Sequence, residues 1–128
     1  MAALAAASLV PTARAEEPHV ELTLTPPERL EEGDRARVVA EVRRPEGNDR
    51  PLLLTPSSEG TAVEVVRGRL LRADAEDPDA RVLRFRIPIV ARSPGTAVLR
   101  AEVLAHHCTR RCRPLRARAA TPLRVHRH

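Results

Sequence analysis

Apolar residues recur at every second position through most of this chain, a period that fits half-buried strands and excludes amphipathic helices. Val20, Leu22 and Leu24 alternate with Glu21 and Thr23, and Ala36, Val38, Ala40 and Val42 alternate with Arg37, Val39, Glu41 and Arg43. The second half is more regular. Leu83, Phe85, Ile87 and Ile89 share one parity, against Arg84, Arg86 and Pro88 on the other. Ala97, Leu99, Ala101, Val103 and Ala105 follow the same rule, as do Leu115, Ala117, Ala119, Leu123 and Val125 with Arg116, Arg118 and Arg124 facing out. Shorter strands are expected over Leu52 to Leu54, Ala62 to Val66 and Arg69 to Ala73. Turn-forming residues punctuate these runs: Pro26-Pro27, Glu31-Glu32-Gly33-Asp34, Pro45 to Asp49, Thr55 to Gly60, the acidic Asp74 to Asp79 and Ser93-Pro94-Gly95. Ser57, Ser58 and Glu59 are accordingly placed in a turn, as capping or loop residues. Pro122 marks the last strand as an edge strand or a bulge, because proline cannot donate to a ladder.

Seven or eight short strands with no helix predict an all-β fold, an antiparallel sandwich with Greek-key connections, with an open barrel as the competing architecture. The pattern resembles the immunoglobulin-like sandwich in architecture. The buried Trp, the tyrosine corner and the inter-sheet cysteine pair of antibody domains are absent, so the resemblance implies no antibody-type function. Phe85 is the single aromatic of the chain and has the parity of a core residue. Sugar binding, which stacks on exposed aromatics, is disfavoured on that ground.

The first fifteen residues stand apart from this pattern. Ala2 to Val10 are apolar over a stretch too short to span a bilayer, and Ala13-Arg14-Ala15 is a small-x-small cleavage pattern. A signal peptide over residues 1–15 and a sandwich over 16–128 are therefore expected, with a periplasmic or secreted location. No Lys or Arg precedes the apolar run, which leaves a translation start further upstream, or a disordered Ala-rich leader, as alternatives. No transmembrane segment is expected.

All 22 basic side chains are Arg. Part of that bias is the codon usage of a G- and C-rich genome. Its distribution is informative: residues 16–80 hold nine Arg against sixteen acids, and residues 81–128 hold twelve Arg against one acid, Glu102. In a sandwich, early and late strands interleave, so cross-strand ion pairs are expected to cancel much of this asymmetry. Nucleic acid is excluded as a partner because single-strand binding needs aromatic platforms, and no helix-turn-helix, zinc-finger or RNP pattern occurs. An acidic protein or an anionic surface remains as partner.

His106-His107-Cys108-Thr109-Arg110-Arg111-Cys112-Arg113-Pro114 lies between the two most regular late strands, which puts it at a hairpin tip. Three readings of Cys108 and Cys112 stand open. A structural disulfide comes first; the five-residue ring would contribute about 2 kcal/mol at most on the chain-entropy model. A redox-active pair comes second, because Arg110, Arg111 and Arg113 would lower thiol pKa values. A copper or zinc site comes third, with Cys108 and Cys112 joined by His106 or His107, and with His126 and His128 able to approach only if the fold brings them. No other cofactor is expected.

Cys108, Cys112 and Pro114 on a late hairpin of a β-sandwich resemble the N-terminal domain of the membrane thiol:disulfide interchange reductases. That resemblance is confined to about twenty-five residues and carries no activity across. The departures are the shorter cysteine spacing, Arg113 where that family has shielding aromatics, and the lack of a following C-x-x-C.

No G-x-S-x-G, H-E-x-x-H, P-loop or dinucleotide fingerprint occurs. The sequence therefore favours a non-catalytic interaction or structural module. Its expected features are a Cys108–Cys112 hairpin and a basic late-strand face formed by Arg110, Arg111, Arg113, Arg116 and Arg118. The alternative is a periplasmic thiol-redox or copper- or zinc-binding protein using the same cysteines. Partner and oligomeric state are left open.

Overall fold

A computed structural model describes residues 18–45 and 51–128. The leader expected over residues 1–15 lies outside the described residues. Among the described residues nine strands form two sheets: β1 (Glu21–Thr25), β2 (Leu30–Glu31), β3 (Arg35–Arg43), β4 (Leu53–Glu59), β5 (Val63–Val65), β6 (Leu70–Leu71), β7 (Val82–Ala91), β8 (Gly95–Cys108) and β9 (Cys112–His126). One sheet has the order β1-β3-β7-β5, and the other β2-β9-β8-β4-β6. The first matches the A-B-E-D order, and the β4-β8-β9 part of the second matches C-F-G, of the immunoglobulin-like sandwich.

The inner faces are those the alternation predicts. Val38, Ala40 and Val42 of β3, Leu83 to Ala91 at odd positions of β7, and Ala97 to Ala105 at odd positions of β8 are buried together with Leu54, Leu123 and Val125. Their even or odd spacing is what turns one face of each strand inward, because successive side chains of a strand point to opposite sides. Phe85 is fully buried and stands opposite Ala40 in the β3–β7 ladder. The large ring and the small methyl group divide the space between them.

Three expectations need correction. The turn placed over Thr55 to Gly60 is, as far as Glu59, the body of β4, which pairs with β8 from Leu53↔Leu104 to Glu59↔Val98. Pro56 is tolerated there because β6 reaches only Leu53 and Leu54, so the proline lies on an open edge where no neighbour needs its missing N–H. Ser58 ties β4 to the next strand by donating its hydroxyl to the Val63 carbonyl at 2.9 Å. The strand expected over Arg69 to Ala73 shrinks to Leu70–Leu71, since Asp74 accepts the Leu71 amide at 2.7 Å and folds Arg72–Asp74 into a single 3-10 turn. A ninth strand, β2, beyond the seven or eight expected, runs into the turn expected over Glu31 to Asp34, which is closed by the Asp34 amide donating to the Glu31 carbonyl at 2.9 Å, and pairs with β9 in parallel, Leu30↔Val125 and Glu31↔His126. Apart from this pair, the ladders are antiparallel.

Gly60 ends β4 with φ +95°, a conformation that other residues adopt only at a cost, and a Cβ there would stand 3.4 Å from the Thr96 carbonyl oxygen. β9 borders β8 on one side and meets β2 only at its last two residues, so most of its length is an edge. Pro122 is exposed on that edge, as its lack of a donor requires.

Candidate functional site

The β8–β9 hairpin keeps one register from Gly95↔Val125 to Cys108↔Cys112. β4 accompanies β8 no further than Leu104. The last four residues of β8 and the start of β9 therefore extend beyond the sheet by about 13 Å, at the usual rise per residue. At the end of this arm the Thr109 amide donates to the Arg111 carbonyl at 3.1 Å, and Cys108 and Cys112 are joined by a disulfide with their Cα atoms 4.0 Å apart. Directly opposed residues of an antiparallel pair are the positions close enough for such a bridge.

Parity then sorts the neighbouring side chains. Odd positions of β8 and β9 face the core lower in the hairpin, where Ala105 is buried opposite Leu115. At the tip the same face carries His107 opposite Arg113, and Thr109 and Arg111 belong to the turn beyond the Cys108↔Cys112 pair. The disulfide and His106 are on the other face, so the two histidines point to opposite sides. Both sulfurs are bonded to each other, and among the described residues no group of three or more His, Cys, Asp or Glu comes together. His126 is at the far end of β9, roughly 45 Å along the strand from Cys112. His128 is there too, 3.6 Å from Glu31, so neither C-terminal histidine approaches the cysteines.

The five arginines expected to form one basic face separate into two groups. Arg116 and Arg118 flank Glu102: the Arg118 Nε donates to its Oε2 at 2.8 Å, and the Arg116 Nη1 lies 3.6 Å from its Oε1. Arg110, Arg111 and Arg113, all exposed, have no carboxylate partner among the described residues. Elsewhere the acidic early half and the basic late half cancel as expected. Glu41 pairs with Arg84 at 3.1 Å, Glu76 with Arg86 at 2.7 Å, Glu59 with Arg100, and Glu64 with Arg92. On the projecting tip, three neighbouring arginines keep their charge without a carboxylate partner among the described residues.

The hydrogen bond from Arg118 holds the Glu102 carboxyl below the usual carboxylate range, aided by the charges of Arg118 and Arg116 and opposed by partial burial. A pKa depressed in the folded state contributes stability above the unfolded pKa and loses it as pH falls through the folded one. Glu102→Gln is thus expected to lower the urea midpoint at neutral pH, with the gap to the parent closing as acid protonates the parent's carboxyl. Urea melts across the acid range check this; a gap that stays constant with pH would contradict it.

Two hollows bear on binding. A broad one of about 600 Å³ lies on the outer face of the five-stranded sheet, among Thr55, Ser57, Arg100, Glu102, Arg118 and Ala120. Its arginines are already occupied by Glu59 and Glu102. A second, of about 480 Å³, lies behind the hairpin tip between Pro18 and His107, Thr109, Arg111, Cys112 and Arg113. Sequence reasoning placed Arg111 and Arg113 in a basic surface and missed that His107, Thr109 and Pro18 join them around a concavity. Only the register and the course of the segment before β1 bring these residues together.

No family model matches the chain, and no curated protein does. Among solved structures, the chain is similar to the crystal structure of native alpha-2-macroglobulin from Escherichia coli spanning domain MG7 to the C-terminus. The TM-score is 0.58 at 16% identity, covering 86% of this chain and 17% of that one. The likeness is one of fold, and this chain corresponds to a small part of the larger one. The class so defined is the immunoglobulin-like β-sandwich domain, here with a disulfide-closed terminal hairpin. The resemblance to thiol:disulfide interchange reductases gains no support from this neighbour. Among the described residues no helix is long and apolar enough to cross a membrane.

Proposed function

We propose that this domain is an exported, non-catalytic interaction module that presents the stapled tip of its β8–β9 hairpin to an acidic protein partner. One observation carries the reading: Arg110, Arg111 and Arg113 stand together on an arm that projects past the sheet, without carboxylates among the described residues, while most late-strand arginines are neutralised within the fold. Unpaired guanidiniums on a braced hairpin supply directional donors for carboxylates at little cost in ordering. A disulfide in a small domain fits an oxidising compartment, which supports export.

The experiment is a binding titration against an oligoglutamate peptide at increasing salt. The dissociation constant is expected to rise continuously between about 0.01 M and 1 M salt, over which the screening length falls from about 30 Å to about 3 Å. Binding that does not change with salt would remove the electrostatic reading.

Thiol exchange is the competing function, favoured by the exposure of Cys112 beside three arginines that would stabilise a thiolate. A reduction potential near about −200 mV, in the range of catalytic pairs, together with mixed disulfides trapped by Cys112→Ser, would move the reading to it.

A further inference from the structure

We infer that the cleft behind the hairpin tip is a carboxylate subsite that takes a glutamate or aspartate side chain of an extended acidic peptide. This rests on the reading of the tip as the contact surface and adds where on the tip recognition occurs. His107 and Arg113 are a cross-strand pair on the face that lower in the hairpin covers the core, and Thr109 and Arg111, in the turn that follows, line the same cleft. Past the end of the core, Pro18 forms the facing wall of the cleft among the described residues. Polar donors therefore line one side and an apolar ring the other.

Arg111 and Arg113 are two residues apart and both line the cleft, and no carboxylate among the described residues lies between them. Two adjacent guanidiniums repel each other, and an anion placed between them converts that repulsion into paired, charge-assisted hydrogen bonds. The Thr109 hydroxyl and the His107 ring add donors at the same place. A carboxylate carried on an aliphatic stem can rest its methylenes on the Pro18 ring, a contact a compact inorganic anion cannot make. Arg110, at the apex of the turn, does not line the cleft. It carries the same charge and is adjacent in sequence, so it serves as the internal control.

The test is to titrate the oligoglutamate peptide against the full chain and against Arg110→Ala, Arg111→Ala and Arg113→Ala, each of which removes one exposed positive charge. Loss of a charge-assisted hydrogen bond is expected to weaken binding by about tenfold or more for Arg111→Ala and Arg113→Ala, against about twofold for Arg110→Ala. His107→Ala is expected to weaken binding measurably, since it removes a donor lining the cleft. Equal losses at all three arginines, with none at His107, would overturn the cleft and leave the basic-tip reading standing. Displacement of the peptide by inorganic phosphate at equal carboxylate and phosphate concentrations would overturn the preference for a peptide side chain, as would tighter binding to vesicles of anionic lipid than to the peptide. No binding by the parent chain would overturn the tip reading itself.

Discussion

A protein carrying Phe85→Ala is expected to lose about 3–5 kcal/mol of folding stability, the cost of removing a fully buried aromatic ring and leaving a cavity that its surroundings fill only in part. The site is poorly placed to collapse. Phe85 is fully buried in β7, and its ladder partner Ala40 is itself buried and too short to reach into the vacated space. The surrounding core is built from Ala, Val, Leu and Ile, so no second ring can swing in. With total stabilities of small domains at about 5–15 kcal/mol, this one substitution removes a large share of the whole. In urea the midpoint is expected to fall by more than about 1 M, given slopes of about 1–3 kcal/mol per M for domains of this size. Phe85→Leu, which keeps most of the volume, is expected to cost well under half as much. A midpoint for Phe85→Ala close to that of the parent would show that the ring is not the centre of the core.

How much of this architecture the sequence discloses depends on whether a feature is local. The parity of β3, β7, β8 and β9 could be read directly, because alternation is a property of neighbouring residues and those strands bury one face. The hairpin position of Cys108 and Cys112, their bonding to each other, and the edge position of Pro122 were legible for the same reason. Ser57, Ser58 and Glu59 misled because their composition is that of a turn, whereas β4 continues through them along an edge that β6 does not cover. Where β4 stops along β8 decides how far the hairpin projects, and no residue within the hairpin encodes that. The division of the five arginines was equally hidden. It depends on Glu102 standing opposite Arg118, two positions along the ladder from Leu104 opposite Arg116, and that register belongs to the folded hairpin. The cleft is the least legible feature, since Pro18 and Arg113 are almost the whole described chain apart in sequence.

The central claim, that an acidic partner is recognised by the tip and not by the net positive charge of the chain, is tested by moving the same charge change to two places. Arg110→Glu/Arg111→Glu/Arg113→Glu reverses the tip. Arg35→Glu/Arg37→Glu/Arg124→Glu makes the same net change at exposed positions near the opposite end of the sandwich, where β3 begins and β9 nears its close. None of the six residues belongs to the buried core, so both proteins are expected to fold. Like charges brought together at a contact cost several kcal/mol, and the tip variant is expected to bind the oligoglutamate peptide at least about a hundredfold more weakly than the parent, equivalent to about 2.8 kcal/mol. The remote variant is expected to lose far less, because at moderate salt its changes lie more than a screening length of about 10 Å from the hairpin tip. The two binding curves are expected to separate widely, with the remote variant close to the parent. Coincident curves, or a tip variant that binds as the parent does, would contradict it.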